Sequence, residues 1–240
     1  MNKLLLILMA LLLTLSPGAF AKEKNFPDLL LVDDFADGDY TDNPSWEVPR
    51  GVFSVVDNKL VSRVQGGAKK QQNTGTETDD TSFEDYSWEE LTSGFSDSTS
   101  SDDGPALIYT NTTLSNAFSL RLDHEFVGGT GKMVLGIYQV KRGKLGYRVV
   151  IDPQKIVRLI RLGETQGRVV VAKSPLNMNS DKPTRIVWSR FKNGRHVVRI
   201  GGEKMLDVVD PYFKEPFDGF FILNRKGEQR IDRVAARGGR

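Results

Sequence analysis

The chain has 240 residues, 39% hydrophobic and 27% charged, with a formal net charge of +2 at neutral pH. That length suits one large domain or at most two small ones, and it permits a substantial core. The absence of cysteine excludes disulfide scaffolds, Cys-ligated zinc, thiol nucleophiles and a lipidated N-terminal cysteine, and two histidines, His124 and His196, leave almost no material for a His-rich metal site.

The first segment reads as an export signal. Asn2-Lys3 gives a short positive start, Leu4 to Leu15 is apolar except for Thr14, and Ser16-Pro17-Gly18 precedes Ala19-Phe20-Ala21, an A-x-A cleavage signature. Twelve helical residues reach only ~18 Å, short of the ~30 Å hydrocarbon core, which disfavours an uncleaved anchor. The expectation is a signal peptide over residues 1–21, cleaved after Ala21, and a mature domain over 22–240 without a membrane span. Export without cysteine points to a periplasmic or extracellular location.

The mature chain opens on acids and aromatics. Asp33, Asp34, Asp37, Asp39 and Asp42 crowd around Gly38, while Phe35, Trp46, Phe53 and Leu60 are spaced to send large groups from successive strands into one core. Calcium takes six to eight oxygens at ~2.4 Å, and this cluster offers several, although the spacing is not that of an EF-hand. The competing reading is a turn whose Asp side chains cap backbone N–H groups.

Between Gly66 and Gly104 the strand signal disappears. Ten acids accumulate from Glu77 to Asp103, and Lys70 is followed by no Lys or Arg until Arg121. The flanks are Gly/Thr/Gln-rich and Ser/Asp-rich, a composition that cannot offset the entropy of ordering. The centre differs: Ser82 is placed to cap a short helix with Phe83, Ser87, Leu91 and Phe95 on one face, near Tyr86 and Trp88. A disordered insertion, a lid on the main domain and a protein-capture segment compete, and a partly ordered flap stands about level with disorder.

From Asn116 onward short strands alternate with turns. Ser119–Phe126 contains a period-2 stretch, Tyr147–Ile151 and Lys155–Leu162 flank Asp152-Pro153, and Asn193-Gly194 joins Arg185–Phe191 to His196–Ile200 as the strongest hairpin signal. About a dozen strands and no long amphipathic helix predict an all-β antiparallel sandwich or barrel. Charge is split along this order. Residues 1–131 hold 9 basic and 21 acidic side chains, net −12, and residues 132–240 hold 24 and 10, net +14. Solvent-facing strand positions filled with Lys and Arg explain much of the excess; a cationic face for an anionic partner is the sharper reading.

The stretch Asp33-Asp34-Phe35-Ala36-Asp37-Gly38-Asp39, then Asn43-Pro44-Ser45-Trp46 and Gly51-Val52-Phe53-Ser54-Val55, resembles the opening of bacterial secreted concanavalin A-like (laminin-G-like) jelly-roll domains. Ile186-Val187-Trp188-Ser189-Arg190 with Gly194 and Val197–Ile200 is similar to that family's late hairpin. Asp218–Leu223 and Ile231–Val234 look like its last two strands. The resemblance covers most of 29–65 and 105–237, and it implies a jelly-roll sandwich interrupted by the 66–104 insertion. It also implies neighbouring first and last strands, which brings Asp232 toward Asp34, Asp37 and Asp39 as a possible structural calcium set. A sugar site on a concave sheet is implied as well, for which Tyr138, Tyr147, Trp188 and Arg190 are the candidates.

Catalytic signals are sparse. The E-x-D-x-x-E pattern that the resemblance implies for a glycosidase is absent; Asp123 and Glu125, at i and i+2 around His124, are the nearest acid pair. No G-x-S-x-G elbow or phosphate-binding glycine pattern occurs in a fitting context, and one terminal RGG-like copy gives no reason to expect nucleic acid. The sequence therefore predicts a secreted, non-catalytic domain that binds carbohydrate, anionic polysaccharide being favoured by the arginines, or another cell-envelope component. A polysaccharide-active enzyme using Asp123 or Glu125, and an envelope protein-interaction module using the insertion, are the alternatives. Nothing in the sequence fixes the oligomeric state.

Overall fold

The computed structural model describes residues 25–64, 105–129, 131–140, 145–164, 167–178 and 182–239. The predicted leader and the whole of the 66–104 insertion lie outside these residues. Among the described residues fourteen strands follow one another: β1 Asp28–Asp33, β2 Glu47–Arg50, β3 Phe53–Val56, β4 Lys59–Val64, β5 Ala106–Thr110, β6 Phe118–Phe126, β7 Lys132–Gln139, β8 Leu145–Asp152, β9 Ile156–Gly163, β10 Gly167–Pro175, β11 Thr184–Arg190, β12 Arg195–Ile200, β13 Glu203–Val209 and β14 Gly219–Gly238. Every pairing is antiparallel. Among the described residues no helix is long and apolar enough to cross a membrane.

The strands form two layers. Sheet I runs β13-β12-β11-β6-β14, with β1 and β4 side by side along the far edge of β14 and β3 on β4; sheet II runs β10-β9-β8-β7-β14-β5-β2. The chain is thus an all-β antiparallel sandwich of jelly-roll type. Its interior takes alternate residues from both layers: Leu120, Leu122, Ile186 and Trp188 from sheet I, Leu135, Ile137, Val149 and Leu159 from sheet II. Phe35, Trp46, Phe53 and Leu60 are buried in that interior as their spacing predicted. Trp46 Nε1 donates to Asp33 Oδ2 at 2.8 Å, while Asp33 Oδ1 accepts the Phe35 N–H, so the only polar end of the indole is satisfied.

The Asn193-Gly194 turn joins β11 and β12 in the predicted hairpin, with Arg190 facing His196 and Ile186 facing Ile200. Gly194 has φ +79°, and a Cβ there would stand 2.6 Å from Pro211 Cα, so both conformation and space demand glycine.

The end of the chain departs from expectation. What the sequence divides into two strands is one continuous strand of 20 residues, β14, shared by both layers. Its first part pairs with β5 and β7 of sheet II, its second with β6, β4 and β1 of sheet I. Register shifts at Asn224/Lys226 and Ile231/Arg233, with Gly227 at φ +80°, supply the bend. Asn224 pins the corner: its Nδ2 donates to Ser62 O and Gly227 O, and its Oδ1 accepts from Lys226 N and Gln229 Nε2. The polar run Asn224–Glu228 looks like a turn because those side chains serve a bend.

Candidate functional site

The two outer faces differ in chemistry. Sheet I presents ion pairs. Asp123 accepts from Arg121 (2.6 Å) and Arg185 (2.9 Å), and Asp207 accepts from Arg195 (2.7 Å) and Lys204 (2.8 Å). Glu228 lies between Arg63 and Arg230, both at 2.6 Å. A cleft of about 380 Å³ lies on this face between β3, β4 and β14, walled by Val52, Val56, Lys59, Arg63, Glu228 and Arg230. Among the described residues no aromatic ring lines it.

The predicted acid pair sits here. Asp123 and Glu125 do share a face, and His124 points the other way into the core. Burial pushes the Asp123 carboxyl up, but Arg121 and Arg185 outweigh it and hold the group below the usual carboxylate range. It is a poor proton donor at neutral pH. Glu125 lies 3.8 Å from Lys59, which bonds Asp232 at 2.9 Å.

That contact also separates Asp232 from the proposed calcium set. β1 does lie beside β14, Asp33 facing Val234, but Asp232 is the extra residue of a bulge and turns to Lys59. Asp34, Asp37 and Asp39 accept backbone N–H groups of Ala36, Asp39 and Thr41 respectively, the capping alternative. Among the described residues no three His, Asp or Glu side chains are grouped to hold a metal ion.

Three of the four predicted sugar-contact residues face the interior. Tyr147, Trp188 and Arg190 are at most 1% exposed. Trp188 packs edge-on against Phe118 at 5.3 Å, and its Nε1 donates to His196 Nδ1 at 3.2 Å. Tyr147 donates to Asp210 Oδ1 at 3.0 Å, and Arg161 bonds the other oxygen at 2.6 Å. Arg190 donates to Asn116 and to Phe213 O, and its Nε stands 3.3 Å from His196 Nε2. The strand period explains this: Ile186, Trp188 and Arg190 share one face, and Ile186 fixes that face as the inner one. These residues hold the fold together and do not meet solvent.

Tyr138 is different. It lies on the outer face of sheet II, where a second apolar cluster, apart from the core, joins Leu107, Val134, Val150, Ile160, Phe221 and Leu223. At one end of this face four side chains converge from β2, β5 with the residue following it, and β7. Tyr109 donates to Glu47 Oε2, Asn111 Nδ2 donates to Glu47 Oε1 at 2.9 Å, and Tyr138 donates to Asn111 Oδ1 at 3.0 Å. The tyrosine rings stand edge to face at 6.3 Å. Burial, then the bond to Glu47, pushes the Tyr109 hydroxyl up to about 12, and burial raises that of Tyr138 as well. Both remain donors at every physiological pH. Glu47 and Asn111 are exposed. Further along, the Arg148 guanidinium lies 5.8 Å from the Phe221 ring centroid, and that ring needs Gly136, where a Cβ would stand 2.1 Å from it. The corner therefore offers a carboxylate, an amide, the Tyr109 phenol and a ring edge, while Tyr138, itself 2% exposed, holds the amide in place, a set suited to hydroxyl-rich ligands.

Against proteins of known structure the chain finds many counterparts of one architecture. The carbohydrate-binding module CBM66 from Bacillus subtilis shares 14% identity over 80% of this chain and 94% of that one, with a TM-score of 0.53. The fold is that of the concanavalin A-like jelly rolls. The Emp47p carbohydrate recognition domain (11% identity, 89% of this chain and 98% of that one, TM-score 0.56) and SCLam, a family GH16 endo-beta-1,3(4)-glucanase (10%, 90% and 92%, TM-score 0.57), share it. No family model matches the sequence, and no curated protein is detectably similar to it. Binding modules and glucanases thus stand side by side among the structural neighbours, and the jelly roll alone does not choose between them.

Proposed function

We propose that the protein is an exported, non-catalytic carbohydrate-binding domain whose ligand engages the Glu47–Tyr109–Asn111–Tyr138 corner of sheet II. The convergence of those four side chains carries the reading, and the carbohydrate-related neighbours support it. In it Glu47 accepts from sugar hydroxyls, Asn111 both donates and accepts, and Tyr109 offers ring surface. The excess of arginine in the second half of the chain favours uronate or other anionic polysaccharide, because guanidinium pairs carboxylates in a fork. The leader over residues 1–21 delivers the domain to the envelope or beyond it.

Affinity electrophoresis against a panel of neutral and acidic polysaccharides tests this. Retention by at least one member is expected, and Tyr109→Ala or Asn111→Ala should weaken it by roughly tenfold, the loss typical of a central contact. Asp123→Asn combined with Glu125→Gln should leave it unchanged. For an anionic ligand, retention should fall as salt rises. Retention insensitive to both corner substitutions defeats the proposal.

A further inference from the structure

We infer that the outer face of sheet II is a docking surface for a segment of this same chain, the acidic-aromatic residues 65–104. The first observation is burial. Leu107, Val134, Val150, Ile160, Phe221 and Leu223 are each at most 2% exposed, yet they project from the side of sheet II opposite the core. Among the described residues no strand packs on that side. Side chains this apolar stay dry only where further chain lies over them.

The ends of the segment supply the second observation. Val64 pairs with Gly227 and Ala106 with Asn224, so forty residues leave and return beside the same bend of β14. They come back directly into β5, a strand of the face itself. Seven strands at ~4.8 Å make the face ~30 Å wide, well within the reach of forty residues.

Chemistry supplies the third. From Gln71 to Gly104 the segment has ten acids, no Lys or Arg, and the large apolar groups Phe83, Tyr86, Trp88, Leu91 and Phe95. The register puts Arg50, Arg148, Arg158, Arg168 and Lys173 on the face, around the apolar cluster. Apolar groups ringed by cations match aromatics ringed by anions, term for term. A second copy of the chain or a foreign protein would need to reproduce both patterns, whereas the tethered segment has them at high effective concentration.

Quenching of Trp88 by acrylamide in the full-length mature chain reads the docking directly. Trp46 and Trp188 are 3% and 0% exposed, so the difference between the native protein and Trp88→Phe isolates the segment's indole. Trp88 should be shielded severalfold relative to a synthetic peptide of residues 71–104. Arg148→Glu with Arg158→Glu should abolish that shielding while the other two indoles stay protected. Should the arginine variant fail to fold, Glu84→Lys, Asp85→Lys, Glu89→Lys and Glu90→Lys together release the segment without touching the sandwich. Wild-type Trp88 quenched as freely as the peptide overturns the inference, as does shielding that survives these charge reversals. Shielding lost on dilution, alongside a dimer in sedimentation, overturns it in favour of a second copy. No sugar enters the measurement, so its failure is separable from failure of the glycan reading.

Discussion

Arg190→Ala is expected to lower stability by about 3–5 kcal/mol, a fall in Tm of roughly 6–20 °C, measured by urea and thermal unfolding. Arg190 is 1% exposed and carries its charge in the interior. Its guanidinium donates to the Asn116 carbonyl and side chain and to Phe213 O at 2.6 Å, and its Nε stands 3.3 Å from His196 Nε2. Those partners lie on the approach to β6, on the connection between β13 and β14, and on β12, so one planar group closes an end of the sandwich. Rings of Tyr147 and Phe217 flank it at 5.7 and 5.9 Å. Removal takes the donor from the buried Phe213 carbonyl and from the half-buried Asn116 one, and leaves a cavity between two rings, each a separate loss. Arg190→Lys keeps the charge but not the fork, and should recover less than half of the deficit. A cost within about 1 kcal/mol, that of an ordinary substitution, would show that the surrounding loop reorganises and that the network is not the clasp described.

The same residue shows where sequence reasoning stops. Alternation was legible wherever one face of a strand meets water. On β11 and β12 of sheet I polar residues mark the outer side, and the Asn193-Gly194 hairpin with its flanking strands followed. In sheet II the contrast vanishes, because β7 and β8 are buried on both faces and read as unbroken apolar runs. Tyr138 and Tyr147 are equivalent in such runs, yet Tyr147 faces Ile137 across the ladder and so points inward, while Tyr138 points out. Tyr109 was hidden for the same reason within Ala-Leu-Ile-Tyr-Thr, and Glu47 and Asn111 join it only through pairings between distant strands. Ile186 does mark the inner face of β11, and extending the period from it places Trp188 and Arg190 inside. A charged group in the core ran against the expectation that arginine is solvated.

Acidification from pH 7 to pH 4.5 should destabilise the protein by several kcal/mol, and both histidines carry that loss. Burial pulls His124 from its ordinary 6.5 down to about 4, and burial, then the neighbouring Arg190 charge, pulls His196 down to about 3. Each is therefore neutral in the folded protein across a range where the unfolded chain takes up a proton. Between about 4 and 6.5 the unfolded state binds more protons, so stability is full above 6.5 and declines as pH falls through that window. A displacement of this size corresponds to a loss on the order of 3 kcal/mol per histidine at the acid end. Geometry agrees at His196, whose two ring nitrogens face the Trp188 and Arg190 donors. A neutral imidazole accepts at one nitrogen only, and a second proton would leave it unable to accept from either. His124 donates from Nε2 to Gln229 Oε1 at 3.3 Å, and protonating its buried Nδ1 would put charge beside Phe126 with no hydrogen-bond acceptor for it among the described residues, a cost the Asp232 charge offsets only in part. Arginine-held Asp123 and Glu228 lose their contributions only below the carboxylate range, and Asp33, whose carboxyl burial raises, acts in the opposite sense. All three are common to the wild type and to His124→Asn and His196→Asn, so they cancel in the comparison. Each variant should be less stable than the wild type at pH 7.5 and should show a shallower dependence of unfolding free energy on pH between 4.5 and 6.5. Parallel pH profiles for wild type and both variants would mean that the imidazoles are not buried neutral, and the packing assigned to β6 and β12 would fall with them.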